Sequence, residues 1–206
     1  MKTCLDFGAN SFQGLLYFSE HLGVDTSWNV RSYEADPFIF TRSFGFIEAL
    51  GLGTKYNEFI FHNLAISDSS DEVSIDCVQA ITVNGVSLQG DYGGSSIVER
   101  KDEHYLDGTL SKRAIVPSID VNAVLAKVVG SDSAAEIYIK MDIEGAEFAV
   151  LQRLLSSTVL EQVKELYVEW HARFWPAGSE RKRMEAIQQD LRSIIANQGI
   201  KIYDHW

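Results

Sequence analysis

A chain of 206 residues with 46% hydrophobic and 23% charged residues has the composition of a globular protein and the length of one full α/β domain, not two. Its formal charge of −11 works against binding a nucleic-acid backbone, which needs a basic face. The basic cluster Arg181-Lys182-Arg183 opens a predicted helix and reads as a solvated face, and two cysteines without metal or redox spacing, Cys4 and Cys77, fit a reducing compartment.

Thr3 to Phe7 is a short apolar run that ends in an acid-flanked turn, Asp6-Phe7-Gly8-Ala9-Asn10, before apolar residues at helical spacing from Phe12 to Leu22. Asn29 to Glu34 reads as a second strand. Pro37 suits the first position of a helix that runs to about Leu50 and stops at Gly51. Asn57 to Ile66 is a third strand, and the alternation around Asn84-Gly85 predicts a β-hairpin insertion over residues 71–100. Ser118 or Asp120 caps a helix over Val121 to Val129. Glu136 to Met141 is a strand, Ala146 to Leu155 an amphipathic helix, and Lys164 to His171 a further strand. Glu180 to Asn197 is a long helix, Gly199 its cap, and Ile200 to Asp204 a last strand. Strands alternating with helices predict a mostly parallel, Rossmann-like α/β sheet with helices on both faces, in one domain over residues 1–206. With no basic, apolar leader and no apolar run of about 18 residues, the expectation is a soluble, cytoplasmic protein without a membrane partner.

Ligands of such sheets bind at the carboxyl ends of the strands, near the switch in strand order. Five predicted strands carry polar groups at that end: Asp6 to Asn10, Glu34-Ala35-Asp36, Ser67-Asp68, Asp142-Ile143-Glu144-Gly145 and Glu169-Trp170-His171. Together they form an acidic rim. Gly8 permits a positive φ and close approach by a ligand, and Asp6 can accept from an ammonium or orient the loop. Glu34, 26 residues after Gly8, stands where a nucleotide-binding sheet places the acid that grips ribose hydroxyls. A G-x-G-x-x-G fingerprint begun at Gly8 fails at Asn10 and Gln13. An acidic rim is a poor cradle for pyrophosphate and suits a cofactor with a sulfonium and an ammonium, S-adenosylmethionine.

The same residues resemble the FkbM-type methyltransferases, S-adenosylmethionine-dependent enzymes on the class I methyltransferase fold. "DFGAN" is similar to that family's D-x-G-A-N loop, "YEADP" to its E-P strand end, and "HNLAISD" to its N-x-A-[IL]-[SG]-D segment. "GGSS" at 93–96, "SID" at 118–120, "IKMDIEGAE" at 139–147 and "VEWH" follow in the family's order. Phe12 replaces the second glycine of the first block, and a bulky ring there is expected to narrow the space beside the methionine part. The predicted strands are one short of that fold's seven. The resemblance implies Gly8 and Asn10 at the methionine part, Glu34 at the ribose and, on the resemblance alone, Ser67 and Asp68 near the adenine. The cofactor-binding set is thus Asp6, Gly8, Asn10, Glu34, Ser67, Asp68 and Asp142.

Methyl transfer to a hydroxyl needs positioning and removal of one proton. Asp142 and Glu144 lie two apart at one strand end and point to one side, as do Glu169 and His171 on the next. The expected catalytic set is His171 as general base, with an ordinary pKa near 6.5, Glu169 to orient it or hold substrate, and Asp142. Each has an ordinary structural alternative: Asp6 as a turn cap, Glu34 as a surface acid, Asp142 as a loop brace, His171 as cover for the core. Glu147 opens a helix and reads as structural, Tyr167 and Trp170 read as packing, and Lys140 is expected to reach an acid on the rim. Asp142, Glu144 and Glu169 also permit a hard divalent cation, although no metal is assigned. The acceptor is expected to be a hydroxyl of a small molecule or glycan, its pocket shaped by the hairpin and by residues 93–107. The alternatives are a catalytically inactive binding module and, less favoured, a nicotinamide-dependent oxidoreductase; oligomeric state leaves no trace in the sequence.

Overall fold

The computed structural model describes residues 1–83, 86–89 and 110–204. In chain order its elements are β1 (Lys2–Phe7), α1 (Gln13–His21), β2 (Trp28–Tyr33), α2 (Pro37–Ala49), α3 (Leu52–Lys55), β3 (Glu58–His62), β4 (Ala65–Ser67), β5 (Glu72–Val83), β6 (Val86–Gln89) and β7 (Leu110–Asp120). There follow α4 (Val121–Ser131), β8 (Glu136–Met141), α5 (Glu147–Leu154), β9 (Val163–Val168), α6 (Ser179–Asn197) and β10 (Lys201–Asp204). Six strands form a sheet in the order β10-β9-β8-β1-β2-β3, and every neighbouring pair is parallel. The chain starts at the centre, winds outward to β3, returns beside β1 as β8 and winds outward again to β10. The direction of winding reverses between β1 and β8, and the crevice outside those strand ends is the natural ligand position.

Period-two alternation divides the strand residues between two cores. Leu5, Phe7, Ile137, Ile139, Met141, Leu166 and Val168 pack against Val124 and Leu125 of α4, Leu151 and Leu154 of α5, and Ile195 of α6. On the opposite face Cys4 and Val30 meet Leu15 and Phe18 of α1 and Leu52 of α3. Helices therefore cover both faces, as the alternation of elements predicts. Asp6 and Lys140 point to the second face as well, each buried in an otherwise apolar strand.

Two departures from the sequence expectations concern the second sheet, ordered β4-β7-β5-β6. The third strand, expected to run unbroken from Asn57 to Ile66, divides: its first half pairs with β2, and Ala65–Ser67 pairs with β7 instead. Asn63 makes the break, its side-chain amide donating to Glu34 O at 2.8 Å and to Ala35 O at 3.3 Å. The second departure is β7 itself, unforeseen because Pro117 interrupts a segment that alternates poorly in hydrophobicity. In the structure Ala114, Val116 and Ser118 face inward while Arg113, Ile115 and Pro117 face out. β5 and β6 pair antiparallel with Val83 opposite Val86, as a hairpin requires; Asn84-Gly85 and the GGSS block lie outside the described residues. Of the two predicted caps, Asp120 caps α4 by accepting from Asn122 N–H at 2.8 Å, and Ser118 bonds to the backbone at Ser69 and Asp71. Among the described residues no helix is long and apolar enough to cross a membrane.

Phe12 corrects a further expectation. Its ring is fully buried, edge-on to Phe59 and Phe61 at 5.7 and 4.9 Å between centroids, so it fills the core beneath α1 and narrows no ligand space. Its φ of 63° is the left-handed conformation that a glycine adopts without strain. The aromatic contact therefore has to exceed a backbone cost of roughly 1–2 kcal/mol. Truncation in Phe12→Ala removes the packing and keeps most of the strain, and should lower the unfolding free energy by about 3–5 kcal/mol, read from urea denaturation with an unchanged m-value.

Candidate active site

Three loops at the carboxyl ends of β1, β2 and β8 meet at the reversal of winding. In the first, Gly8 has a φ of 78° and donates its N–H to Tyr33 O at 3.0 Å, as Ala9 does at 2.9 Å. A Cβ at Gly8 would lie 1.8 Å from Asp142 O. The backbone of the loop after β8 thus approaches closely at this glycine. Asn10 N–H donates to Glu34 Oε2 and Asp36 N–H to Glu34 Oε1, both at 2.9 Å. Glu34 joins the loops after β1 and β2 through both oxygens, each of which keeps a lone pair for a further donor. Burial pushes its carboxyl up to about 7 against the opposing effect of those two N–H groups.

Beneath these loops lies Lys140, directly opposite Asp6 in the β1–β8 register. Its ammonium is 3.4 Å from Asp6 Oδ1 and 3.7 Å from Asp142 Oδ2, and it donates to the carbonyls of Phe7 and Gly8. Burial disfavours the charge, but Asp6 and then Asp142 outweigh it and hold the lysine above its ordinary pKa. Asp6 also accepts from Ser32 Oγ at 3.1 Å and is wholly buried. The ammonium that Asp6 faces is that of Lys140, which in turn donates to the carbonyl of Gly8. Lys140 was expected to reach a rim acid, and it does so at Asp142 from inside the fold.

The third loop places the acid cluster. Asp142 and Glu144 lie at the head of α5, with Glu144 held at a φ of 53° and Gly145 at 108°. Glu147 is fully buried: Oε2 accepts from Gly145 N–H at 2.8 Å and Oε1 from His171 N–H at 2.6 Å. One carboxylate thus binds the β8 loop to the segment after β9. His171 is fully buried too. Its Nε2 lies 3.5 Å from Glu144 Oε2, 3.4 Å from Glu169 Oε1 and 3.8 Å from Asp142 Oδ1, and its Nδ1 lies 3.3 Å from Glu147 Oε1. Despite these separations neither ring nitrogen makes an aligned hydrogen bond. Burial alone would lower the imidazole pKa; Glu147 and Glu169, with Glu144, outweigh it and raise it to about 10.

That environment does not suit the role of general base expected for His171, since at neutral pH the ring already carries its proton. Glu169 is held down at about 2, chiefly by His171, with Arg173 also lowering it from 2.9 Å. Burial raises Asp142, which together with Glu144 faces the main pocket. That pocket, about 610 Å³ of space including open solvent, is lined by Gly8, Asn10, Glu34, Asp142 and Glu144 together with Ile39, Leu64, Ile66 and Ile75. Of the residues singled out from sequence, the pocket gathers Gly8, Asn10, Glu34, Asp142 and Glu144. Asp6, His171 and Glu169 stand behind it, and Ser67 and Asp68 follow Ile66 without lining it, Ser67 donating to Asp68 at 3.1 Å. Tyr167 packs on Phe18 and Tyr203 and Trp170 on Phe148.

Sequence reasoning undervalued Glu147, whose position in the first turn of a helix concealed its reach to His171. The apolar pocket wall was missed entirely, and only a contact map could have joined Ile39 to Ile75.

The profile of the family described as "Methyltransferase FkbM domain" matches residues 6–201. No curated protein and no solved structure matches the chain.

The environment of Glu34 has a measurable consequence. Its folded pKa lies near 7 against 4.5 for an ordinary glutamate, so folding favours the protonated carboxyl. The associated stability is complete below the ordinary value and is lost as pH rises through about 7. Between about pH 5 and about pH 8 the unfolding free energy of the wild type should therefore fall by about 2 kcal/mol relative to Glu34→Gln, which does not titrate. Parallel urea titrations of the two proteins measure this difference.

Proposed function

The chain belongs to the FkbM methyltransferase domain family, and from that premise we propose that it is an S-adenosylmethionine-dependent O-methyltransferase acting on a hydroxyl of a glycan or other small molecule. The observation that carries the reading is the pocket at the reversal of winding, which brings Gly8, Asn10, Glu34, Asp142 and Glu144 together with the apolar side chains of Ile39, Ile66 and Ile75. A nucleoside with a cationic amino-acid arm fits that combination. Glu34, with a lone pair left on each oxygen, would hold the ribose hydroxyls, and the loop of Gly8 and Asn10 the methionine part. Ile39 and Ile66 would flank the adenine, with Ser67 and Asp68 at its edge. Asp6 acts through Lys140, which fixes the carbonyl of Gly8.

Bound there, the cofactor supplies a methyl group already activated on a sulfonium. The chain's own work is to orient the acceptor, exclude water and take up one proton. Asp142 and Glu144 face the pocket, and the raised pKa of Asp142 makes it a better proton acceptor than an exposed aspartate. His171, cationic and buried, keeps these carboxylates together, and Glu169 positions His171 by pairing with it and with Arg173. A cytoplasmic setting accords with two buried cysteines that remain thiols, and the acidic surface charge accords with a partner that is not a nucleic acid. Phe12, which from sequence favoured a binding-only module, lies in the core and no longer favours it.

Calorimetric titration with S-adenosylmethionine, S-adenosylhomocysteine and NAD tests the proposal. The first two should bind with Kd of about 1–100 μM and NAD should not, and Glu34→Gln should weaken both by about tenfold or more. Absence of binding by either sulfur compound would overturn the reading.

A further inference from the structure

We propose that Asp142, Glu144 and His171 form a site for a divalent first-row transition ion such as Mn²⁺, with Glu147 as the carboxylate that orients the histidine. One carboxylate oxygen from each acid and one imidazole nitrogen lie within 4.8 Å of one another. Two ligands of one ion at bond lengths of about 2.0–2.2 Å are separated by at most about 4.4 Å, so small side-chain movements bring all three onto a single ion. Mixed carboxylate and imidazole donors select ions of this class over Mg²⁺ or Ca²⁺, which prefer oxygen alone.

A cluster of acids would not by itself make such a site. The second observation is His171, a fully buried ring whose Nε2 is aimed into the cluster and has no aligned hydrogen-bond partner. On the far side of the ring, Nδ1 lies 3.3 Å from Glu147 Oε1, and a small rotation would align the bond by which an outer carboxylate fixes the tautomer and leaves the other nitrogen for the ion. Glu147 is itself held by two backbone N–H groups. Asp142 divides its oxygens, Oδ2 toward Lys140 and Oδ1 toward His171, and Glu169, engaged by Arg173, is left outside the set. The left-handed backbone at Glu144 is the local strain that functional ligands often carry.

The site differs from the oxygen-only set of Asp142, Glu144 and Glu169 that the sequence permits, because His171 replaces Glu169 as the third donor. With an ion bound, His171 is a neutral ligand and the carboxylates need not act as bases. An acceptor hydroxyl on the ion releases its proton to solvent more readily than a free one. This chemical role rests on the methyl-transfer reading; the binding of the ion does not.

The test is titration of the full chain with Mn²⁺ alone, without cofactor or acceptor, followed by calorimetry and by electron paramagnetic resonance on protein with ¹⁵N-labelled histidine. One ion should bind per chain with nitrogen coupling from a single imidazole. Asp142→Asn and Glu144→Gln should each weaken it by about tenfold or more, whereas Asp190→Asn on the exposed face of α6 should not. Circular dichroism of each variant verifies that it is folded. No binding by the wild type, binding that survives both substitutions, or a signal without nitrogen coupling would each overturn the proposal. Because S-adenosylmethionine binding is measured separately, failure of the ion and failure of the methyl-transfer reading give different results.

Discussion

The buried ammonium of Lys140 is the interaction around which the rest of the site is arranged. It sits on the central pair of strands, opposite Asp6 in register, and reaches the carbonyls of Phe7 and Gly8 and the carboxylate of Asp142. A lysine inside a sheet is costly to desolvate, and is tolerated only where charge and hydrogen bonds compensate it. Here the compensation comes from both strands that flank the reversal of winding, so the charge joins the two halves of the doubly wound fold at the point where a ligand crevice opens. Removing the lysine would leave Asp6 buried without its counter-charge, at a cost of about 3–5 kcal/mol.

Two further buried carboxylates extend this arrangement outward by accepting from backbone N–H groups. Glu34 connects the loops after β1 and β2, and Glu147 connects the loop after β8 to the segment after β9. Among the described residues, the three non-glycine positions with positive φ, Asn10, Phe12 and Glu144, all lie in these same loops. Strain, buried charge and pocket coincide, as in sites where the scaffold over-determines the position of a few groups.

Much of the fold was legible because its strands and helices carry strong periodic signals, and because Pro37 and Gly51 punctuate α2 at each end. What was illegible followed from contacts rather than from pattern. The division of β3 from β4 depends on Asn63 reaching back to Glu34 O, and β7 needs β4 and β5 as partners before its inward alternation has meaning. At the site, strand ends brought out Gly8, Asn10, Glu34 and Asp142, which line one pocket. The charge state of His171 could not be read, because it depends on Glu147 and Glu144 approaching from another element. Lys140 within EIYIKM was read as reaching a rim acid; that it also lies opposite Asp6 follows only from the β1–β8 register.

The contact between Gly8 and Asp142 joins the loops mechanically. With the glycine's Cα against the carbonyl of Asp142 and no side chain between them, a shift of the first loop is transmitted directly to the acid cluster. Anything that fixed one loop would fix the other with it, so coupling between ligands of the two loops would be reciprocal.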